Sequence, residues 1–203
     1  MSVIDAAASD DRSNPEPSRR SDATHVHYQV LAVGCSFTFL TYVHRQAFVG
    51  GTPEIQAALG LTTAQMGYIS STFLVAYGLF QVPCGLVGDR LGARNLLTIL
   101  VLAWSAVTAL TALAGVIPAS VIGPFAVLVS ARFLFGAFQS GAFPVWTRAM
   151  TDWIPLSERA TGQGIAWMFS RLGGALGPLL FLVLFQAFDT WTTPLWILSL
   201  LGL

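Results

Sequence analysis

Five apolar stretches, each long enough to cross a membrane and parted only by short polar turns, dictate what this chain can become. They run from about Tyr28 to Val49, Met66 to Val87, Asn95 to Val116, Ala119 to Pro144 and Thr161 to Phe188, and a sixth begins at Thr193. The first continues past Gly50-Gly51-Thr52-Pro53 as a bent extension to Leu59. At about 1.5 Å per residue, roughly 20 helical residues cross the roughly 30 Å hydrocarbon layer, where only helices and closed barrels satisfy their own backbone polar groups. Composition agrees: 54% of the 203 residues are hydrophobic, 10% are charged and mean hydropathy is +0.66, more than one soluble core of this size can hide. The sequence predicts an all-α integral membrane protein with five complete transmembrane helices and the start of a sixth. The fragment ending at Leu203 is too short to span.

The charges that remain are informative by position. Residues 1–24 mix aspartate, glutamate and arginine with two prolines and no periodic apolar face, which predicts a disordered tail, and they lack the apolar core of a signal peptide. GLVGDRLGAR, residues 85–94, forms the polar turn between the second and third stretches. Its Gly85 and Gly88 are expected to let helix ends approach, Asp89 to cap or pair, and Arg90 and Arg94 to hold the turn in the cytoplasm. With a cytoplasmic amino terminus, Arg12, Arg19, Arg20, Arg90, Arg94, Arg148 and Arg159 all fall inside, and the outer loops hold no arginine or lysine. A net charge of zero argues against a nucleic-acid surface. Cys35 and Cys84 lie in apolar runs and are expected to be buried, unpaired thiols.

Three arginines, Arg45, Arg132 and Arg171, fall inside the apolar stretches. A guanidinium in mid-membrane is costly unless it faces a cavity or a partner, and the central part of each complete stretch lacks an acidic residue. Two readings stand: packing charges satisfied by backbone carbonyls, or a water-filled path in which the guanidinium fork holds an anion in two-point geometry. Tyr42 lies three residues before Arg45, Tyr77 and Gln81 lie four apart, and Gln139 lies seven beyond Arg132, so each can join such a path or satisfy a neighbouring helix. His44 adjoins Arg45 but points about 100° away around the helix. Gly173 and Gly177 form a small-residue pair for close packing, and Pro83 and Pro178 mark expected bends.

Several spaced motifs carry a resemblance. GLVGDRLGAR resembles the loop between the second and third helices of the major facilitator superfamily, with Gly85, Asp89, Arg90, Gly92 and Arg94 in place and Ala93 where a second basic residue is common. TYVHRQ at 41–46, the run 61–94, RFLFGAFQSGAFP at 132–144 and WIPLSERATGQG at 153–164 resemble its anion:cation symporter branch, over about residues 28–203. The resemblance implies the amino-terminal portion of a carrier of small organic anions, sugar acids or carboxylates, in the inner (plasma) membrane. It implies that Arg45 binds the substrate carboxylate, that Tyr42, Tyr77 and Gln81 lie near it, and that Arg132 pairs with or tunes the coupling carboxylates. It also implies that the Asp89 loop acts as a cytoplasmic conformational gate, for which Arg148 is the expected partner within this half.

Two departures shape the expectation. Proton-coupled members carry aspartate and glutamate where this chain has His44 and Gln139, and glutamine cannot release a proton, so coupling through another ion, through the rest of the carrier, or uncoupled flux all stay open. The resemblance ends inside the sixth helix, which implies a missing carboxy-terminal half. The alternative is a truncated membrane fragment with no transport of its own, acting at most as a packing or regulatory partner. Enzymatic function is not expected, because the chain shows no zinc-spaced cluster, nucleophile elbow or phosphate loop, and no cofactor is implied.

Overall fold

In the computed structural model, residues 25–117 and 122–202 are described, and the amino-terminal tail with Arg12, Arg19 and Arg20 lies outside them. Eight helices follow in order among the described residues: α1 (His25–Gly50), α2 (Thr52–Leu59), α3 (Thr63–Leu91), α4 (Ala93–Leu113), α5 (Pro124–Gln139), α6 (Ala142–Trp153), α7 (Arg159–Phe188) and α8 (Thr192–Leu201). Five spans are long and apolar enough to cross a membrane: α1, α3, α4, the joined α5 and α6, and α7. The chain is a multi-pass helical membrane protein whose α8 is the predicted start of a sixth helix.

Local chemistry explains where the helices begin and end. Thr62 and Gln65 form a reciprocal cap, with the Gln65 amide donating to the Thr62 hydroxyl at 3.2 Å and the Thr62 amide donating to Gln65 Oε1 at 2.8 Å. The turn read from Gly85 to Arg94 shrinks to one residue: helix continues to Leu91, Gly92 takes φ 79°, and α4 starts at Ala93. A single glycine in the left-handed region reverses the chain, so Asp89 and Arg90 are helical. Of the two glycines expected to bring helix ends together there, Gly88 does so, packed beside Val145, whereas Gly85 has open space around its Cα.

The fourth span differs from the expected Ala119 to Pro144. It starts at Pro124, whose ring suits a first helical turn, and runs to Trp153 with a break at Ser140-Gly141. Pro144 does not end the helix because it falls in the first turn of α6, where its missing N–H has no partner to lose. Pro83 and Pro178, read as bend points, lie within uninterrupted α3 and α7.

Small residues set how closely the helices approach. A Cβ on Gly173 would collide with the Phe39 carbonyl, one on Gly177 would lie 2.8 Å from the Val43 carbonyl oxygen, and one on Gly136 would lie 2.5 Å from that of Phe73. Backbone therefore meets backbone where α7 crosses α1 and where α5 crosses α3, which is how helices associate where lipid removes the hydrophobic drive. Apolar clusters fill the spaces between, one around Ile55, Leu128, Phe181 and Leu195, a second around Trp104, Phe135 and Val145, and a third around Trp146, Met150 and Ala166. Cys35 is buried, Cys84 is half-buried, and both are free thiols.

Candidate functional site

Arg45 is half-buried on α1, and its surroundings come from neighbouring helices. Its Nε donates to Gln139 Oε1 on α5 at 2.7 Å, while Gln139 Nε2 donates to the Thr41 carbonyl at 2.8 Å. The second bond fixes which way the amide points, so the oxygen faces the guanidinium. Three ring faces surround the same cation: Tyr42 at 5.1 Å, Phe73 at 5.1 Å and Tyr77 at 4.7 Å from Cζ to ring centroid. A bond to a charged donor contributes roughly 1.5–3 kcal/mol and a desolvated cation–ring contact up to about 2 kcal/mol, yet neither cancels the charge. Nη2 is buried without a partner, so part of the fork's donor capacity is left unsatisfied among the described residues.

The rings continue beyond Tyr42. Tyr42 meets Phe143 edge-on at 6.0 Å, Phe143 stacks on Trp167 at 4.6 Å, and Arg171 lies 5.9 Å from the Trp167 ring. An aromatic wall built from α1, α6 and α7 thus has a guanidinium at each end. Arg171 is exposed on α7.

The other sequence candidates are placed elsewhere. Arg132 is 3% exposed, its guanidinium lies 3.6 Å from the Phe48 centroid and 4.7 Å from that of Phe135, and its Nε lacks a partner. Gln139, considered as a companion of Arg132, is bonded to Arg45 instead. His44 is 2% exposed and directed at α8: its Nε2 lies 2.7 Å from the Leu198 carbonyl, which can only accept, so Nε2 carries the hydrogen. Gln81 is exposed on α3 and makes no hydrogen bond among the described residues. Sequence reading missed Phe73, Phe143 and Trp167. Phe73 and Trp167 sit four residues before Tyr77 and Arg171, a spacing that places each pair on one helix face.

At one end of the bundle, Asp89 on α3 and Arg148 on α6 form an ion pair at 3.2 Å, and Arg148 also reaches Asp152 at 3.5 Å. All three side chains are more than half exposed, so the pairs contribute at most about 1 kcal/mol of static stability each. Arg90 and Arg94 are exposed at the same turn, and Arg159 donates to the carbonyls of Thr151 and Ile154. Every arginine outside the long helices' interiors among the described residues lies at this end.

Comparison with known proteins adds an independent finding. Residues 34–203 match the model of the Major Facilitator Superfamily. The chain is 39% identical over 160 residues to a probable sulfoacetate transporter of Cupriavidus necator, covering 79% of this chain and 35% of that protein. It is 33% identical over 166 residues to a D-galactonate transporter of Escherichia coli, covering 81% and 35%, and 30% identical over 165 residues to a hexuronate transporter of Bacillus subtilis, covering 81% and 37%. The chain therefore spans little more than a third of the length of these relatives.

Proposed function

The chain belongs to the major facilitator superfamily, and from that premise we propose that it forms part of a larger secondary transporter that carries a small organic anion, a sugar acid or another carboxylate, across the inner membrane. The observation that carries this reading is Arg45: a cation inside a membrane span, held by a neutral amide and three rings, with an unpartnered fork edge and no carboxylate beside it among the described residues. Such a group gains most from an anion that arrives from outside the protein. Relatives named for sulfoacetate, galactonate and hexuronate support the same substrate class. Tyr42 and Tyr77 then shape the site, and Arg132 acts through its field, since burial between two rings keeps it from contact. Gln81, His44 and Arg171 are assigned no bond to the first acid group. The test is anion-dependent stabilisation of the membrane protein carrying these residues, compared with its Arg45→Ala variant.

In this reading the end bearing Arg90, Arg94, Arg148 and Arg159 faces the cytoplasm together with the amino terminus. A maleimide that cannot cross the membrane should label a cysteine at Ala93 only after cells are opened. Labelling in intact cells would reverse the orientation.

The Asp89–Arg148 pair, with Gly85, Arg90, Gly92 and Arg94 around it, serves as a cytoplasmic gate contact rather than a ligand. Exposed pairs contribute little to static stability, so their value lies in favouring one carrier state over another by a small free energy. Asp89→Asn is expected to slow transport at least several-fold while leaving substrate affinity within about tenfold. Lost binding with unchanged cycling would sink the gate assignment.

A further inference from the structure

Among the described residues the acidic side chains are Glu54, Asp89, Asp152, Glu158 and Asp189, and each sits in or beside a helix end. Arg45, Arg132 and Arg171 sit within long helices, and the ion pairs among the described residues both belong to Arg148. Arg45 commits its Nε to an amide oxygen, Arg132 is enclosed by rings, and Arg171 lies beside Trp167 at the far end of the aromatic wall. Arg45 and Arg171 thus stand at the two ends of the wall with no carboxylate beside either among the described residues. A cation without a counter-ion beside it favours ligands that bring the missing charge, more strongly at half-buried Arg45 than at exposed Arg171.

Resting on the anion-carrier reading above, we propose that Gln139 sets the charge class of the substrate: with a neutral amide on Arg45, the site selects a doubly charged anion over a singly charged one of the same shape. One acid group sits on the Nη edge of Arg45, and the second lies along the Tyr42–Phe143–Trp167 wall towards Arg171. Gln139 suits this role because it is buried and its Nε2 is tied to the Thr41 carbonyl, so its oxygen stays on Arg45. An amide also has no proton to lose, so this arm of the site keeps the same charge at every physiological pH.

Calorimetric titration of the membrane protein carrying these residues, near neutral pH, tests the proposal with two matched pairs: succinate against succinamate, and adipate against adipamate. In each pair an amide replaces one carboxylate at nearly constant shape. The dianion is expected to bind at least about tenfold more tightly in the pair whose length fits. Gln139→Glu adds one negative charge beside Arg45 and should shrink or reverse that preference, restoring it as the medium is acidified. Arg171→Gln should cost the dianion more than the monoanion. Equal affinities within both pairs for the parent protein, or an unchanged ratio in a folded Gln139→Glu variant, would overturn the inference. If Gln139→Glu does not fold, the parent ratio and the Arg171→Gln ratio decide. Equal binding within each pair, abolished by Arg45→Ala, would leave the anchor standing and remove charge selection alone. Failure of every anion to bind removes both.

Discussion

Replacing Arg45 by alanine is expected to weaken binding of an organic anion by about a hundredfold or more, and replacement by lysine to recover only part of that loss. The geometry gives the reason. Gln139 occupies Nε, the rings of Tyr42, Phe73 and Tyr77 crowd the guanidinium, and buried Nη2 lacks the acceptor that a carboxylate would supply. Two charge-assisted bonds at roughly 1.5–3 kcal/mol each amount to more than two decades in the dissociation constant. Alanine removes both bonds and leaves Gln139 Oε1 without its donor. Lysine keeps the charge, but one ammonium cannot bond the amide and also present two parallel N–H groups to the ligand, so about a tenfold defect should persist. The measurement is ligand titration of each variant, with size and thermal transition showing that it folds. A folded Arg45→Ala protein with the parent's affinity would reduce Arg45 to a packing charge and remove the proposed anchor.

Legibility in the sequence follows the strength of the physical constraint. Membrane-length apolar runs can do little besides form helices, so the five spans and the partial sixth are legible from hydropathy alone. Their ends are less so, because hydropathy falls off only where side chains leave the bilayer and helix continues until a cap intervenes. Thus α3 runs through Pro83 and the charged turn to Leu91, and the fourth span continues to Trp153. The same limit applies to the site. Arg45 is conspicuous because a buried cation is costly wherever it occurs, and Tyr42 follows from helical spacing. Which neighbouring helix supplies the bonding partner depends on crossing geometry, and no spacing within one helix contains that. Gln139 accordingly faces Arg45 rather than Arg132, and His44 faces the Leu198 carbonyl on α8.

The arrangement that brings Gln139 to Arg45 depends on α1 being held close by its neighbours, and Gly173 shows how little room there is. A methyl group there would run into the Phe39 carbonyl oxygen, with the carbonyl carbon 3.0 Å away and the Phe39 Cα 3.2 Å away. All of these are backbone atoms. A flexible side chain could swing aside, but backbone can yield only if α1 and α7 move apart, which loosens the packing of Gly177 on Val43 along the same seam. Overpacking of this kind costs about 1–3 kcal/mol, so Gly173→Ala should lower the thermal transition clearly and Gly173→Val should lower it further. Gly164, on the same helix, has nothing within 4 Å of the position its Cβ would take. Gly164→Ala should therefore match the parent or exceed it by up to about 1 kcal/mol, and it controls for the general effect of replacing a helical glycine by alanine. Because α1 also carries Arg45, the Gly173 variants should lose anion affinity along with stability, whereas Gly164→Ala should keep both. If Gly173→Ala and Gly164→Ala melt together, α1 and α7 do not meet backbone to backbone, and the placement of Arg45 against Gln139 loses its support.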